Sequence, residues 1–452
     1  MEARESTESQ DEKVERWIRD HLGATDVVIK RQGRWRPMWS VDATIDGQRR
    51  ELMVRGDRSD TLLAFPLHHE MLVQSFLHDQ EIPVPAVHGW IDDVTAYVMD
   101  RVPGRFDFVG LDESQRDAVM RGYMAILARI HRLPVESAAA VGISRSANPL
   151  RTGDVGPAAY ERVYRQTKLR PDPFLEFALG WLKRHPLDTK GRESVVLWDA
   201  AQFHQVDGKL TTLLDIELGH IGDPMMDLAG MRGRDSVLQF GDLRELYAHY
   251  ENSGGFSVDL SAIQHHHIAF CLCNHLAFHR AVAEPSFDSD YMTNMLWISE
   301  TDMWAIELIA EREGYVLNPP ELPADHSSPY AVALTHLVNT LRGLKSDDEY
   351  LAYKLRASYL LARYAQRADQ VGTATTNLDV SETAELLGNR IDSWHEAEAA
   401  LERFVLDDDG TSDEQLVQLF YRRYVRLKNT LGPPGSGMSN HLAVKLHNLR
   451  AT

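Results

Sequence analysis

The sequence predicts an α+β fold in which a small β-meander lobe is followed by a larger helical lobe and a C-terminal all-α helical bundle. Apolar residues alternate with a period of two in several segments of residues 24–104, which is typical of strands. A helical period predominates in residues 112–317 and again after a Pro-rich stretch at 318–329. A chain of 452 residues is long enough for two or three such units.

The N-terminal elements combine one short helix with a meander. The helix VERWIRDHLG ends at Gly23, and the strands VVIKR, MWSVDATI and RRELMVR follow it. Asp46-Gly47, between the second and third strands, is a strong hairpin signal because glycine tolerates a positive φ. A packed helix with Pro66 in its first turn and the β-rich segment TAYVMDRVPG complete this small lobe.

The second lobe is predicted to be helical, with one long helical run from Leu260 to Glu313. An island of two apolar strands around the Val206-Asp207-Gly208 turn interrupts it, and acidic residues crowd this hairpin. Because a short hairpin within a helical domain usually serves to bind something, we expect this one to hold a ligand.

The last part of the chain contains four strongly helical segments, which predict a bundle, followed by the loop GPPGSGMSN and a last short helix or tail. The predicted organisation is a leader and helix at 1–23, an N-lobe at 24–104, a helical C-lobe at 105–317 with the hairpin at 195–229, a linker at 318–329, and the bundle at 330–452.

Composition excludes several classes of protein. The net charge of −19 and the absence of a basic stripe argue against a nucleic-acid binder. The sequence also lacks a signal peptide and a long uncharged apolar stretch, so we expect a cytoplasmic protein with no membrane partner. The cysteines, Cys271 and Cys273, are too few and too close in sequence for a disulfide framework.

The segment DIELGHIGDPMMDLA, at residues 215–229, is the most specific motif in the chain. With the order of elements before it, it resembles the aminoglycoside phosphotransferase-like family of small-molecule kinases, over roughly residues 24–310. The resemblance implies a bilobal protein-kinase-like fold. It also implies an ATP-dependent phosphotransferase that moves the γ-phosphate to a hydroxyl of a small molecule, with ATP and Mg²⁺ as cofactors.

The resemblance assigns chemical roles to residues of the hairpin. Asp199 takes the place of the catalytic aspartate, and Asp215 takes that of the metal-binding aspartate. Glu217, one alternation later on the same predicted strand face, and His204, five residues after Asp199, are further candidate metal ligands. Because imidazole suits softer ions than Mg²⁺, Mn²⁺ is an alternative metal.

In the N-lobe, Arg55 and Glu70 resemble the ion pair of kinases that binds the inner phosphates. The loop at residues 32–37 stands where the family covers the phosphates, and backbone amides there could cradle them. The resemblance places the adenine ring against the connector after the last strand, with Met99, Asp100 and Val102 as binding residues.

Three positions depart from the family pattern. Leu197 replaces a histidine, Trp198 replaces a glycine, and His204 replaces an asparagine. The alternative interpretation is therefore a catalytically impaired pseudokinase that binds a nucleotide or metabolite or acts as an interaction module. Asp223 and Asp227 resemble family positions that brace the catalytic loop, so we expect a structural role for both.

Less specific interpretations exist for these patterns. The hairpin carboxylates could be solvated surface groups, and Arg55 with Glu70 could form an ordinary surface ion pair. The residues His267, Cys271, His275 and His279 recur every four positions, which would suit zinc or copper, but a packed helix face is the favoured interpretation.

The acceptor would bind between the helical lobe and the hairpin, where the C-terminal helices would also touch it. The acidic composition permits a cationic acceptor such as an aminosugar, and chains of the family also phosphorylate hydroxyacyl thioesters and other alcohols. The C-terminal helices are a candidate surface for a homo-oligomer or a protein partner.

Overall fold

The computed structural model describes residues 8–34, 36–58, 62–287 and 289–432. The N-lobe strands are β1 Thr25–Arg31, β2 Met38–Ile45, β3 Gln48–Gly56, β4 Val87–Ile91 and β5 Ala96–Asp100. They form one antiparallel sheet in the order β1-β2-β3-β5-β4, and Asp46-Gly47 turns β2 into β3 as the sequence predicts. The meander is therefore confirmed.

Two helices flank this sheet. Helix α1, Gln10–Leu22, begins with a capping box at Ser9 and ends at Gly23, whose backbone is left-handed. It buries Val14 and Ile18 against the apolar face of the sheet. Helix α2, Leu67–Asp79, follows β3 and carries Glu70 into the space between the lobes.

The C-lobe surrounds the hairpin with helices, as predicted. Its helices are α3 Glu113–Ile130, α4 Val135–Ala140, α5 Val155–Thr167, α6 Pro173–Arg184, α7 Met225–Leu238, α8 Leu243–Asn252, α9 Leu260–Cys271, α10 Cys273–Ala283 and α11 Tyr291–Glu313. Its strands are β6 Ser194–Val196, β7 Phe203–Val206, β8 Lys209–Leu213 and β9 His220–Gly222. β7 pairs with β8 around the Asp207-Gly208 turn, and β6 pairs with β9. The α+β architecture predicted from the sequence is confirmed.

The helical run predicted from Leu260 to Glu313 is confirmed and consists of three helices. The segment from Leu260 to Ala283 is divided at Leu272 into α9 and α10, and α11 begins at Tyr291. Cys271 and Cys273 are both buried and free. The break separates His267 and Cys271, on α9, from the two later histidines on α10, so the four residues do not form one straight stripe.

The C-terminal bundle contains four helices in the described part of the chain. They are α12 Ala331–Gly343, α13 Glu349–Leu387, α14 Trp394–Asp407 and α15 Asp413–Leu431. Residues 315–328, which include most of the predicted linker, form neither helix nor strand. α14 packs on α6, and α13 and α15 pack on α11. The loop and the last short helix or tail predicted after residue 432 lie outside the described residues.

None of the described helices combines the length and the apolar character that spanning a membrane requires.

A buried carboxylate, that of Asp227 on α7, holds the loop that carries Asp199. Its oxygens accept hydrogen bonds from the backbone N–H of Leu197 at 2.9 Å and of Trp198 at 2.6 Å. The same group contacts Nε2 of His131 at 2.9 Å, and Tyr250 contacts the other ring nitrogen at 2.6 Å. Because all of these atoms are removed from water, each donor depends on the Asp227 carboxylate. Asp227 is thus a brace, as the sequence predicts.

We expect Asp227→Ala to destabilise the protein by at least about 3 kcal/mol, because three buried donors lose their acceptor at about 1–3 kcal/mol each. The measurement is chemical denaturation followed by tryptophan fluorescence. The control is Asp117→Ala, which removes a half-exposed carboxylate paired with Arg121 on α3 and should change stability by no more than about 0.5 kcal/mol. Equal effects of the two substitutions would contradict the role of Asp227.

Candidate active site

Asp199 lies in the loop between β6 and β7. Its carboxylate accepts a hydrogen bond from Nε2 of Gln202 at 2.7 Å and pairs with the guanidinium group of Arg234 on α7. Burial raises the pKa of the Asp199 carboxyl, and Arg234 offsets this rise only in part. Asp199 therefore holds a proton more readily than an exposed aspartate does.

Asp215 and Glu217 lie in the turn between β8 and β9, so the prediction that they share a strand face is wrong. The strand ends at Leu213, and Asp215 has a left-handed backbone with φ 55°. Their side chains nevertheless converge. Nη2 of Arg55 lies 2.6 Å from Oδ1 of Asp215 and 3.2 Å from Oε2 of Glu217.

Arg55 also forms the predicted pair with Glu70. The distance from Nε of Arg55 to Oε1 of Glu70 is 2.7 Å, and both side chains are buried. The hydroxyl of Tyr97 donates to the same oxygen at 3.1 Å. Burial raises the pKa of Glu70, while the neighbouring guanidinium groups act in the opposite direction. The interpretation as an ordinary surface ion pair is thus wrong for these two residues.

Arg36 is a residue of the site that the sequence interpretation missed. Its side chain is 1% exposed, with Nη1 at 3.2 Å from Glu70 and Nη2 at 2.6 Å from Glu217. Arg34, two residues earlier, lines the same cleft. The predicted phosphate loop therefore contributes guanidinium groups to the site. The Arg-x-Arg spacing at 34 and 36 was the available signal, since alternate residues of an extended segment project to the same side.

The charges of these groups set the protonation state of Asp215. Burial by itself would raise the pKa of the Asp215 carboxyl, but Arg55, Arg36 and Arg34 lower it to about 2. The group is therefore ionised throughout the neutral range. Its contribution to folding stability is present above the ordinary aspartate pKa and is lost only as the pH falls toward about 2.

The three carboxylates suit a divalent cation. Asp199, Asp215 and Glu217 line one cleft, and oxygens of the last two already meet a single positively charged nitrogen. Carboxylate oxygens are the ligands that Mg²⁺ and Mn²⁺ accept. The donor set therefore fits such an ion.

This cleft continues into a chamber of about 760 Å³. Aromatic side chains of α10 and α11 form part of its wall, among them Phe278, Trp297 and Trp304. Helix α13 of the C-terminal bundle closes another side. The residues of α13 that face the chamber are Tyr353, Arg356, Ala357 and Leu360. The bundle thus lines part of this chamber, in agreement with the expectation from the sequence that the C-terminal helices also touch the acceptor site.

Helix α13 also touches the loop between β1 and β2. Lys30 pairs with Glu349 at 2.6 Å, and the guanidinium group of Arg31 lies over the ring of Tyr350. A Cβ atom on Gly33 would lie 2.6 Å from the carbonyl oxygen of Glu349, so only glycine allows this approach. The single glycine of the loop is therefore needed for packing against the bundle.

Trp198 leaves the chamber free, although it replaces a glycine of the family pattern. Its side chain is fully buried in the C-lobe core and packs against the rings of Tyr160 and His220. Gly156 makes room for this side chain, since a Cβ there would lie 2.1 Å from the indole ring, whereas the absence of a Cβ at Gly230 makes room for the backbone carbonyl of Trp198. The departure at Trp198 is thus absorbed by the core, and the backbone of the loop remains held by Asp227.

Other residues assigned by resemblance lie away from the chamber. His204 is half-buried on β7, and its Nδ1 lies 3.2 Å from the carbonyl oxygen of Pro103. His204, Met99, Asp100 and Val102 are absent from the residues that line the chamber in the described part of the chain. Their roles as metal ligand and as nucleotide-binding residues stay predictions. Gln202, which does line the chamber beside Asp199, was missed.

Part of this chain is similar in sequence to known proteins. The model of the phosphotransferase enzyme family (APH) matches residues 43–262. Acyl-CoA dehydrogenase family member 10 from Mus musculus is 27% identical over 198 residues, which cover 40% of this chain and 18% of the relative. Acyl-CoA dehydrogenase family member 11 from Homo sapiens is 25% identical over 179 residues, covering 37% and 23%. The matched segment therefore spans only about a fifth of the length of these curated relatives.

Two solved structures are similar to this chain at low sequence identity. The crystal structure of aminoglycoside phosphotransferase APH(4)-Ia has a TM-score of 0.45 at 14% identity, covering 67% of this chain and 99% of that one. Macrolide 2'-phosphotransferase MphH from Brachybacterium faecium has a TM-score of 0.40 at 17% identity, covering 60% and 93%.

The family match begins near the end of β2 and covers β3, the second helix, the connector and the hairpin, and it confirms the resemblance predicted from DIELGHIGDPMMDLA. Over residues 43–262 the chain is aminoglycoside phosphotransferase-like, as the motif predicts.

Proposed function

We propose that the protein is an ATP-dependent phosphotransferase that transfers the γ-phosphate to a hydroxyl group of a small molecule bound in the chamber. The observation that carries this proposal is that the carboxylates of Asp199, Asp215 and Glu217 open on the same chamber. Phosphoryl transfer requires positioning and charge stabilisation more than covalent chemistry, and these groups supply both.

Asp199 would orient the attacking hydroxyl. The acceptor oxygen forms a bond to the γ-phosphorus, the bond to the bridging oxygen of ADP breaks, and the hydroxyl proton passes to the Asp199 carboxylate. The raised pKa of Asp199 favours this proton transfer. Arg234 and Gln202 hold the carboxylate in place, since both contact it.

The guanidinium groups between the lobes would bind the phosphates. Arg34 and Arg36 line the chamber, while Arg55 is paired with Glu70 in the buried ion-pair network beside them. Asp215 and Glu217 would hold Mg²⁺ or Mn²⁺, which when bound neutralises phosphate charge. Arginine makes bidentate contacts with phosphate oxygens, so the role is chemically available to each of these residues.

The chamber favours an acceptor with an apolar body. The indole rings of Trp297 and Trp304 and the ring of Phe278 supply flat apolar surfaces. Glu300 also lines the chamber, and burial raises its pKa to about 8, so the neutral acid can donate a hydrogen bond. An alcohol with an acyl or ring body and a hydrogen-bond acceptor fits these walls better than a polycationic aminosugar does.

A pseudokinase is the second candidate. One observation favours it: Asp215 and Glu217 are already paired with Arg55 and Arg36, and no metal is needed to balance their charge. In such a protein the nucleotide or a metabolite would bind without turnover, and the bundle would recruit a partner.

We expect Asp199→Asn to lower phosphoryl transfer on the order of 10²-fold or more, because the proton acceptor is lost. The measurement is ADP release with a panel of alcohols, with thermal shift by ATP and Mg²⁺ as a separate test of nucleotide binding. The matched control is Asp207→Asn, an exposed residue in the turn of the same hairpin, which should leave both readouts unchanged.

The two candidate functions predict different results in this experiment. Turnover that depends on Asp199 supports the enzyme. A thermal shift by ATP without turnover in the wild-type protein supports the pseudokinase, and the absence of both contradicts nucleotide binding by this cleft.

Gln202 and His204 can be compared directly as contributors to the metal site. Because Gln202 lines the chamber and His204 does not, we expect Gln202→Ala to raise the metal concentration needed for half-maximal activity and His204→Ala to leave it unchanged. Activity is titrated with Mg²⁺ and with Mn²⁺ for each variant. A loss of the Mn²⁺ response in His204→Ala alone would restore His204 as the ligand.

A further inference from the structure

Two histidines and an aspartate converge in the described part of the chain, on the side of α10 that faces away from the chamber. His275 and His279 are one helical turn apart on α10, and Asp172 is the N-cap of α6. Nε2 of His275 lies 2.8 Å from Oδ2 of Asp172, and Nδ1 of His279 lies 3.2 Å from the same oxygen. All three ligand atoms are within 4.8 Å of one another, and all three residues are buried.

The surroundings of these residues orient them further. Nδ1 of His275 lies 2.7 Å from Oδ2 of Asp302 on α11, and Oδ1 of Asp172 accepts a hydrogen bond from the backbone N–H of Leu175 at 3.0 Å. The hydroxyl of Tyr424 on α15 donates to Asp302. A histidine that binds a metal through one nitrogen commonly donates its other N–H to a carboxylate, which fixes the tautomer.

We propose that Asp172, His275 and His279 bind one zinc ion, with Asp302 orienting His275 from outside the ligand set. Histidines at i and i+4 present their rings on one helix face, and a carboxylate from a second element completes a set that suits zinc better than Mg²⁺. The fourth position is left to water, because Asp302 contacts Nδ1, on the side of the His275 ring opposite Nε2.

Charge balance supports a divalent cation at this position. Asp172 and Asp302 place two carboxylates in a buried region, and a divalent ion with two neutral histidines brings the sum to zero. Buried charges are expensive unless they are paired or coordinate a metal.

The ion would stabilise the junction between the C-lobe and the bundle. Its ligands come from α6 and α10, and Asp302 connects them through α11 to Tyr424 on α15. Next to it, Glu402 on α14 accepts a hydrogen bond from the backbone N–H of Asp172 at 2.6 Å. None of the three ligands lines the chamber. The site is thus structural, and it is separate from the proposed Mg²⁺ position at Asp215.

The test is zinc analysis of the purified full-length chain. We expect about one zinc per chain by elemental analysis, a lower melting temperature after treatment with a strong chelator, and recovery with Zn²⁺ but not with Mg²⁺. Replacement by Co²⁺ should give the visible absorption of a four-coordinate site. The substitution His279→Gln should abolish stoichiometric zinc, and Asp302→Asn should weaken zinc affinity about 10–100-fold.

Two control variants locate the ion. Asp215→Asn changes the proposed Mg²⁺ site and should retain zinc, and His267→Gln changes a buried histidine of α9 outside the cluster and should retain it as well. Zinc lost from Asp215→Asn but kept in His279→Gln would overturn the assignment. A chain purified without zinc that shows no melting or spectral response to Zn²⁺ or Co²⁺ would also overturn it, and the cluster would then be an ion-pair network only.

Discussion

The burial of Arg36 and Arg55 between the two lobes is the constraint on which the rest of the site depends. A guanidinium group removed from water must be paired, so Glu70 from α2 and the two acids after β8 turn toward them. These pairs fix the distance between the sheet and the hairpin. They also bring the carboxylates of Asp215 and Glu217 together around a guanidinium nitrogen of Arg55, at the position where a phosphotransferase would bind a metal cation.

The loop that carries Asp199 shows that one backbone arrangement can be supported with different side chains. Leu197 and Trp198 replace a polar residue and a glycine of the family pattern, yet the Asp227 carboxylate holds the loop by its backbone N–H groups. A backbone contact does not depend on which side chain the residue carries. The side chain of Trp198 can therefore fill the core, where Gly156 accommodates its bulk. The departures that favour a pseudokinase in the sequence thus have a structural explanation that leaves Asp199 in the chamber.

Much of the fold could be predicted because local signals and long-range packing agree. The Asp46-Gly47 turn and the alternating strands specify the meander, and the acidic hairpin motif identified Asp199 and Asp215. Tertiary contacts set the features that were missed. Periodicity cannot reveal a helix break at Leu272, a turn where a strand was expected at Asp215, or the burial of an arginine in a loop.

The C-terminal bundle bears on which acceptor the chamber can bind. Helix α13 lines the chamber with Tyr353 and Arg356 and also packs on the loop after β1 through Gly33. One helix thus contacts both the chamber and the loop between β1 and β2. Because α13 is packed against α11 and α15, its position depends on the junction that holds Asp302 and Tyr424. The bundle therefore belongs to the site, and acceptor choice cannot be understood from residues 43–262 alone.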